Sequence, residues 1–154
     1  MEINRIYNAN CETGLKDLPD SSVDCCITSP PYYGLRDYGN AQQIGLEDTP
    51  EEYIERLTGV FDEVYRALKP SGTLWLNIGD SYWGGKGYSG SSSGRYQYER
   101  FKAGESITRE YSSFGGKGVI RTTDRKHEYI KKKDLIGIPW MLAFSLRYSG
   151  WYLR

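Results

Sequence analysis

Apolar and polar positions along this 154-residue chain alternate between short, nearly continuous apolar runs and one long stretch with a helical period. Ile3 to Tyr7 leans towards a strand. Cys11 to Leu18 has room for about two helical turns before Leu18-Pro19-Asp20-Ser21-Ser22 supplies a turn. Val23-Asp24-Cys25-Cys26-Ile27-Thr28 is almost continuously apolar, as expected of a strand covered on both faces in a parallel sheet. It stops at Ser29-Pro30-Pro31-Tyr32, where neither proline can donate to a sheet ladder and each drives the preceding residue out of helical space. A fixed, extended turn must follow the strand.

Thr49-Pro50-Glu51-Glu52 predicts a helix start, with a hydroxyl N-cap, proline in the first turn and carboxylates favoured by the helix dipole. Tyr53, Leu57, Val60, Val64 and Leu68 then recur at helical spacing, and Lys69-Pro70-Ser71-Gly72 ends the element. Thr73 to Ile78 is the following strand. Two strands joined by a helical crossover imply parallel neighbours with a right-handed connection, so the fold class is α/β. Residues 84–130 break the pattern: they are rich in Gly, Ser, Tyr and basic residues, keep neither period, and are expected to form a long, flexible basic insertion. Order returns at Leu135-Ile136-Gly137-Ile138-Pro139. A helix from about Pro139 to Tyr148 looks apolar on most sides and hence well buried, Gly150 stops it, and Trp151-Tyr152-Leu153 opens what reads as another strand.

Length and a 38% hydrophobic content allow one modest core, so residues 1–154 are expected to form a single domain. No stretch approaches the roughly 20 apolar residues of a membrane span, and the first residues lack the pattern of a signal peptide, so a cytoplasmic protein without membrane contact is expected. Cys11, Cys25 and Cys26 have no metal-ligand spacing, and two of them lie in the apolar run as small buried hydrophobes, so neither a disulfide nor a metal site is expected. The zero net charge conceals an asymmetry. Residues 1–83 hold 6 Lys and Arg against 14 Asp and Glu, whereas residues 84–133 hold 12 against 5. A basic block beside an acidic body suits a polyanion partner, and a solvated loop suits it equally.

Ligands of open α/β sheets bind at the carboxyl ends of strands, where Thr28-Ser29-Pro30-Pro31-Tyr32 falls. Its residues fit one chemical problem, the alkylation of an aromatic amino group whose lone pair is delocalised into the ring. Acceptors that bind the amine hydrogens hold the nitrogen towards a tetrahedral shape and aim its lone pair. Ser29 Oγ and the Pro30 carbonyl, made rigid by Pro30 and Pro31, can be those acceptors, and Tyr32 can stack on the base.

Asp24 to Gly34 resembles the catalytic motif of the DNA amino-methyltransferases, the N4-cytosine and N6-adenine family. The likeness extends upstream through Ile6 to Cys11 and Ser22-Val23-Asp24. Downstream it runs through Tyr53 to Leu68, Lys69 to Trp75, Asn77 to Tyr82, Lys133 to Trp140 and Gly150 to Arg154. The resemblance implies a partial Rossmann-like methyltransferase fold, S-adenosylmethionine as cofactor, and double-stranded DNA as the partner from which a base is flipped. It implies catalytic roles for Ser29, Pro30, Pro31 and Tyr32, and cofactor contacts by Thr28 and Asn10, the latter standing where the family often has Asp. Ser29 resembles the cytosine-N4 members more than the adenine-N6 ones.

Aromatic and basic residues interleave at Arg95-Tyr96, Arg100, Lys102 and Arg109, and with Lys131, Lys132 and Lys133 they are expected to contact DNA. His127 sits in a charged run and is expected to be solvated. The family's glycine-rich cofactor segment, Phe-x-Gly-x-Gly, has no counterpart; Gly84 to Gly87 and Gly115 to Gly118 have no helix pattern behind them. The chain therefore reads as the front part of a longer enzyme, completed by a carboxyl-terminal chain or segment. A non-catalytic DNA-binding remnant or subunit is the other reading.

Overall fold

The computed structural model describes residues 4–36, 38–40, 42–84, 123 and 126–154. Helix α1 (Cys11–Gly14) runs into a 3-10 turn (Leu15–Asp17), followed by strand β1 (Val23–Thr28), helix α2 (Pro50–Ala67), strand β2 (Leu68–Leu76) and helix α3 (Ile138–Tyr148). The two strands lie parallel and are joined by α2, as the pattern predicts. Among the described residues, Arg5 to Tyr7 form no strand and Ile6 is fully exposed, contrary to expectation. A β-leaning run needs a neighbouring ladder, and the described sheet has only β1 and β2.

The start of α2 is set locally. Thr49 Oγ1 accepts from Glu52 N at 3.2 Å while the Glu52 carboxylate accepts from Thr49 N at 3.3 Å, a reciprocal capping box. Its inner face presents Tyr53, Ile54, Leu57, Phe61 and Val64 to the core. At its other end Arg66 donates to the carbonyls of Leu15 and Leu18 and pairs with Asp20, which anchors the turn ahead of β1.

Lys69 to Gly72 behaves differently from the expected helix-to-strand turn. Val23 pairs with Leu68 and Cys25 with Thr73, so these four residues of β2 bulge out opposite Asp24. Lys69 Nζ bridges the bulge to Asp24 Oδ1 at 2.7 Å. Leu68, expected on the helix, instead opens the strand.

Burial along the sheet corrects a second expectation. Cys26, Leu74 and Leu76 turn to the core, whereas Ile27 is 80% and Trp75 65% exposed, and Cys25 is exposed as well. The strand is thus covered on one face, because among the described elements the core lies on the α2 side alone.

Helix α3 also buries less than its composition suggests. Ile138, Leu142 and Leu146 pack with α2, but Trp140, Phe144 and Tyr148 line an exposed side. The last residues form no strand; Trp151 stacks edge-on against Tyr65 of α2 with ring centroids 5.0 Å apart. Among the described residues no helix is long and apolar enough to cross a membrane.

The chain leaves β2, reaches the buried Trp83, and meets its own returning segment. Tyr82 and Leu135 form an antiparallel bridge, Trp83 exchanges hydrogen bonds with Lys133 and Asp134, and Gly84 N donates to Thr123 O at 2.6 Å. Thr123 is buried and Ile130 packs on the core, so the described end of the stretch expected as a flexible insertion is firmly seated.

Candidate active site at the carboxyl end of β1

The sheet ladder runs one residue past β2, with Asn77 N donating to Thr28 O, at the end of β1, at 3.0 Å. The chain then enters the double-proline turn. Ser29 is exposed, while Thr28, Pro30, Pro31 and Tyr32 are half-buried. Two of the turn's carbonyls are used internally: Pro31 O accepts from the Tyr53 hydroxyl at 2.7 Å, and Tyr32 O accepts from Leu35 N at 3.3 Å. Among the described residues, Ser29 Oγ and the Pro30 carbonyl engage in no hydrogen bond. The turn is braced through Pro31 and Tyr32 and leaves two consecutive acceptors without a bond.

The brace is a tyrosine that sequence reasoning placed only on an apolar helix face. Tyr53 is fully buried in the second turn of α2, its ring 5.3 Å from that of Tyr33. Burial, reinforced by the charges of Glu47 and Tyr32, pushes its phenol well above the ordinary value of 10. The hydroxyl therefore stays a proton donor to Pro31.

Gly79, within the Asn77 to Tyr82 stretch, meets the turn directly. A Cβ there would lie 2.7 Å from Cε2 and 3.0 Å from Cδ2 of Tyr32, so the tyrosine ring rests directly against the glycine. The adjoining Asp80 has a structural duty. Its carboxylate accepts from the backbone N–H groups of Gly137, Ile138 and Ser81 and thereby caps α3.

The loop after the turn is drawn back over α2. Gly34 N donates to Gly45 O at 2.7 Å, and Arg56 fixes the rest. All five guanidinium N–H groups are engaged, by both oxygens of Glu12, by Glu47 and by the carbonyls of Gln42 and Gln43. The Arg56 hydrogen bond holds the Glu12 carboxyl below its ordinary value. The same contact reaches Asn10, whose Oδ1 caps α1 by accepting from Glu12 N at 2.8 Å. Asn10 is exposed and already committed to this cap.

The expected nucleic-acid residues divide into two groups. Arg95, Tyr96, Arg100, Lys102 and Arg109 lie outside the described residues. Lys131, Lys132 and Lys133 are exposed in a tight turn closed by Asp134, beside the Trp83 pairing. His127 departs from expectation: its side chain is only 7% exposed, edge-on to Trp83 and Tyr129 at 4.9 and 4.5 Å. Its Nδ1 accepts from Ile130 N at 3.2 Å, and Nε2 faces Glu51 at 3.3 Å. Two aromatic neighbours and a carboxylate on α2 draw the ring out of water.

A parallel strand–helix–strand unit whose first strand ends in a double-proline turn defines an α/β protein, a class in which ligands bind at the carboxyl ends of the strands. Comparison with known proteins narrows the class. Residues 23–133 match the DNA methylase family, and the chain belongs to it. It is 42% identical over 152 residues to the type II methyltransferase M.XycI of Xanthomonas campestris pv. cyanopsidis, covering 97% of this chain and 43% of that protein. It is 41% identical over 150 residues to M.SmaI of Serratia marcescens, covering 97% and 45%, and 36% identical over 140 residues to M.SfiI of Streptomyces fimbriatus, covering 91% and 26%. The chain thus spans less than half the length of these relatives.

Proposed function

We propose that this chain carries the catalytic turn of a DNA methyltransferase that transfers a methyl group from S-adenosylmethionine to the exocyclic amine of a flipped base, with cytosine N4 as the target. The observation that supports the reading is the double-proline turn closing β1, in which Ser29 Oγ and the Pro30 carbonyl, consecutive in the chain and followed by Tyr32, are engaged in no hydrogen bond among the described residues. They accept the two amine hydrogens and turn the nitrogen lone pair out of conjugation, while Tyr32 stacks on the base. S-adenosylmethionine supplies, when bound, an electrophilic methyl group. The surplus proton leaves the amine for solvent once nitrogen is alkylated, so no general base is required and His127 has no part in the reaction.

Thr28, half-buried at the end of β1, is assigned to the cofactor side. Asn10 fits there through the second lone pair of its capping oxygen. Further cofactor contacts, and the remaining strands of a Rossmann-like sheet, are assigned to a carboxyl-terminal chain or segment. The relatives are more than twice as long as the part of them matched here and so hold further segments. Lys131, Lys132 and Lys133, with Arg95, Tyr96, Arg100, Lys102 and Arg109, are assigned to the phosphates and bases of double-stranded DNA.

The test is incorporation of tritiated methyl groups into long unmethylated double-stranded DNA by the chain, alone and mixed with the carboxyl-terminal half of a relative. Product nucleosides are separated by mass. N4-methylcytosine that disappears in Ser29→Ala and Tyr32→Ala supports the reading. N6-methyladenine reassigns the base, and DNA binding without transfer in either mixture makes the chain a non-catalytic subunit.

A further inference from the structure

Glycine is required at a position either by backbone conformation or by space. Gly79 is not among the glycines with positive φ, so alanine would suit its backbone. What alanine would meet is the Tyr32 ring, with Cε2 at 2.7 Å, Cδ2 at 3.0 Å and Cζ at 3.3 Å. These atoms form one edge of a side-chain ring, so the ring would move rather than the Gly79 backbone. The hydroxyl of the fully buried Tyr53 holds the Pro31 carbonyl, one peptide ahead of Tyr32. Ring and main chain of Tyr32 are therefore each held by a separate contact.

We propose that Gly79 and Tyr53 are positioning residues for Tyr32: the bare backbone of Gly79 seats its ring and the Tyr53 hydroxyl fixes its main chain, so that together they set where the flipped base stacks. This rests on the reading of Tyr32 as the stacking residue. Position matters because stacking is strong only within a narrow range of ring offsets. A shift large enough to relieve a 2.7 Å contact carries the ring out of register with a base held by Ser29 and Pro30.

The test compares the full chain's affinity for two fluorescein-labelled duplexes of one sequence, read by anisotropy. In one, a single cytosine stands opposite an abasic site and swings out at little cost; in the other it is paired with guanine. The unsubstituted chain is expected to favour the unpaired duplex by roughly 5- to 150-fold, the span of base–aromatic stacking. Tyr32→Ala should abolish that preference, Gly79→Ala should cut it at least fivefold, and the double variant should fall no lower than Tyr32→Ala. A purely structural defect at Gly79 would instead weaken binding of both duplexes alike and leave their ratio unchanged.

Where Gly79→Ala keeps the full preference while Tyr32→Ala loses it, the proposal is overturned and the stacking role stands. Absence of any preference in the unsubstituted chain overturns the stacking role and this proposal with it. Should Gly79→Ala fail to fold, Tyr53→Phe decides alone. A reduced preference with binding of the paired duplex retained supports the proposal, and an unchanged preference overturns it.

Discussion

Arg56 is the residue on which the neighbourhood of the turn depends. Its planar fork spends five donors on three segments, and lysine, with three donors and no fork, cannot replace it. Arg56→Lys is expected to cost about 2–3 kcal/mol in urea unfolding, the range for losing hydrogen bonds to charged partners at a partly covered site. Because Arg56 depresses the Glu12 carboxyl below 4.5, their contact stabilises the fold above that pH and is lost as pH falls through the depressed value. Below about pH 4.5 the parent should therefore lose stability more steeply than Arg56→Met. The cysteines offer a second check at this scale. Cys25 and Cys11 are exposed, whereas burial raises the half-buried Cys26 thiol. Timed alkylation at pH 8, followed by peptide mass mapping, should label Cys11 and Cys25 first and Cys26 last.

Elements divide according to whether their determinants are local. The capping box of α2 was legible because Thr49 and Glu52 are three residues apart, and β1 because its apolar run is closed by two prolines. The start of α3 was not. Gly137, its N-cap, adopts φ 90° and has no side chain to offer, and the capping carboxylate comes from Asp80, 57 residues earlier. Asp80→Ala should thus lower stability by about 1–2 kcal/mol and Asp80→Asn by less, since the amide keeps one acceptor, as thermal unfolding would record. The candidate turn itself was visible in Ser29 to Tyr32. Its supports, Tyr53 and Gly79, were not, because only the folded chain brings them to Pro31 and Tyr32. Strand content was overread at both ends. Arg5 to Tyr7 and Trp151 to Leu153 carry strand-forming side chains, yet a strand exists only where a ladder partner does.

At the scale of the whole molecule, the parallel sheet separates an inner face, packed under α2, from an outer one bearing Ile27 and Trp75. The two faces should respond differently to substitution. Leu57→Ala, in the packed core, is expected to cost about 2–5 kcal/mol. Ile27→Thr should stay within about 0.5 kcal/mol, since it replaces an exposed ethyl arm by a hydroxyl that water can bind and keeps a β-branched residue in the strand. Apolar composition along β1 could not announce this difference, because burial depends on which neighbours arrive.

The bond from Gly84 N to Thr123 O, with the Trp83–Lys133 pairing beside it, pins together two points separated by 38 residues of sequence. A junction closed in this way makes the body of the protein nearly indifferent to the contour length between its two sides. Closure entropy grows only with the logarithm of loop length, so halving the intervening chain would change it by about 0.6 kcal/mol. Replacing residues 86–121 by a Gly/Ser linker half as long should shift the melting temperature by only a few degrees. The described body thus closes on itself at this junction, with Gly84 and Thr123 as its two lips.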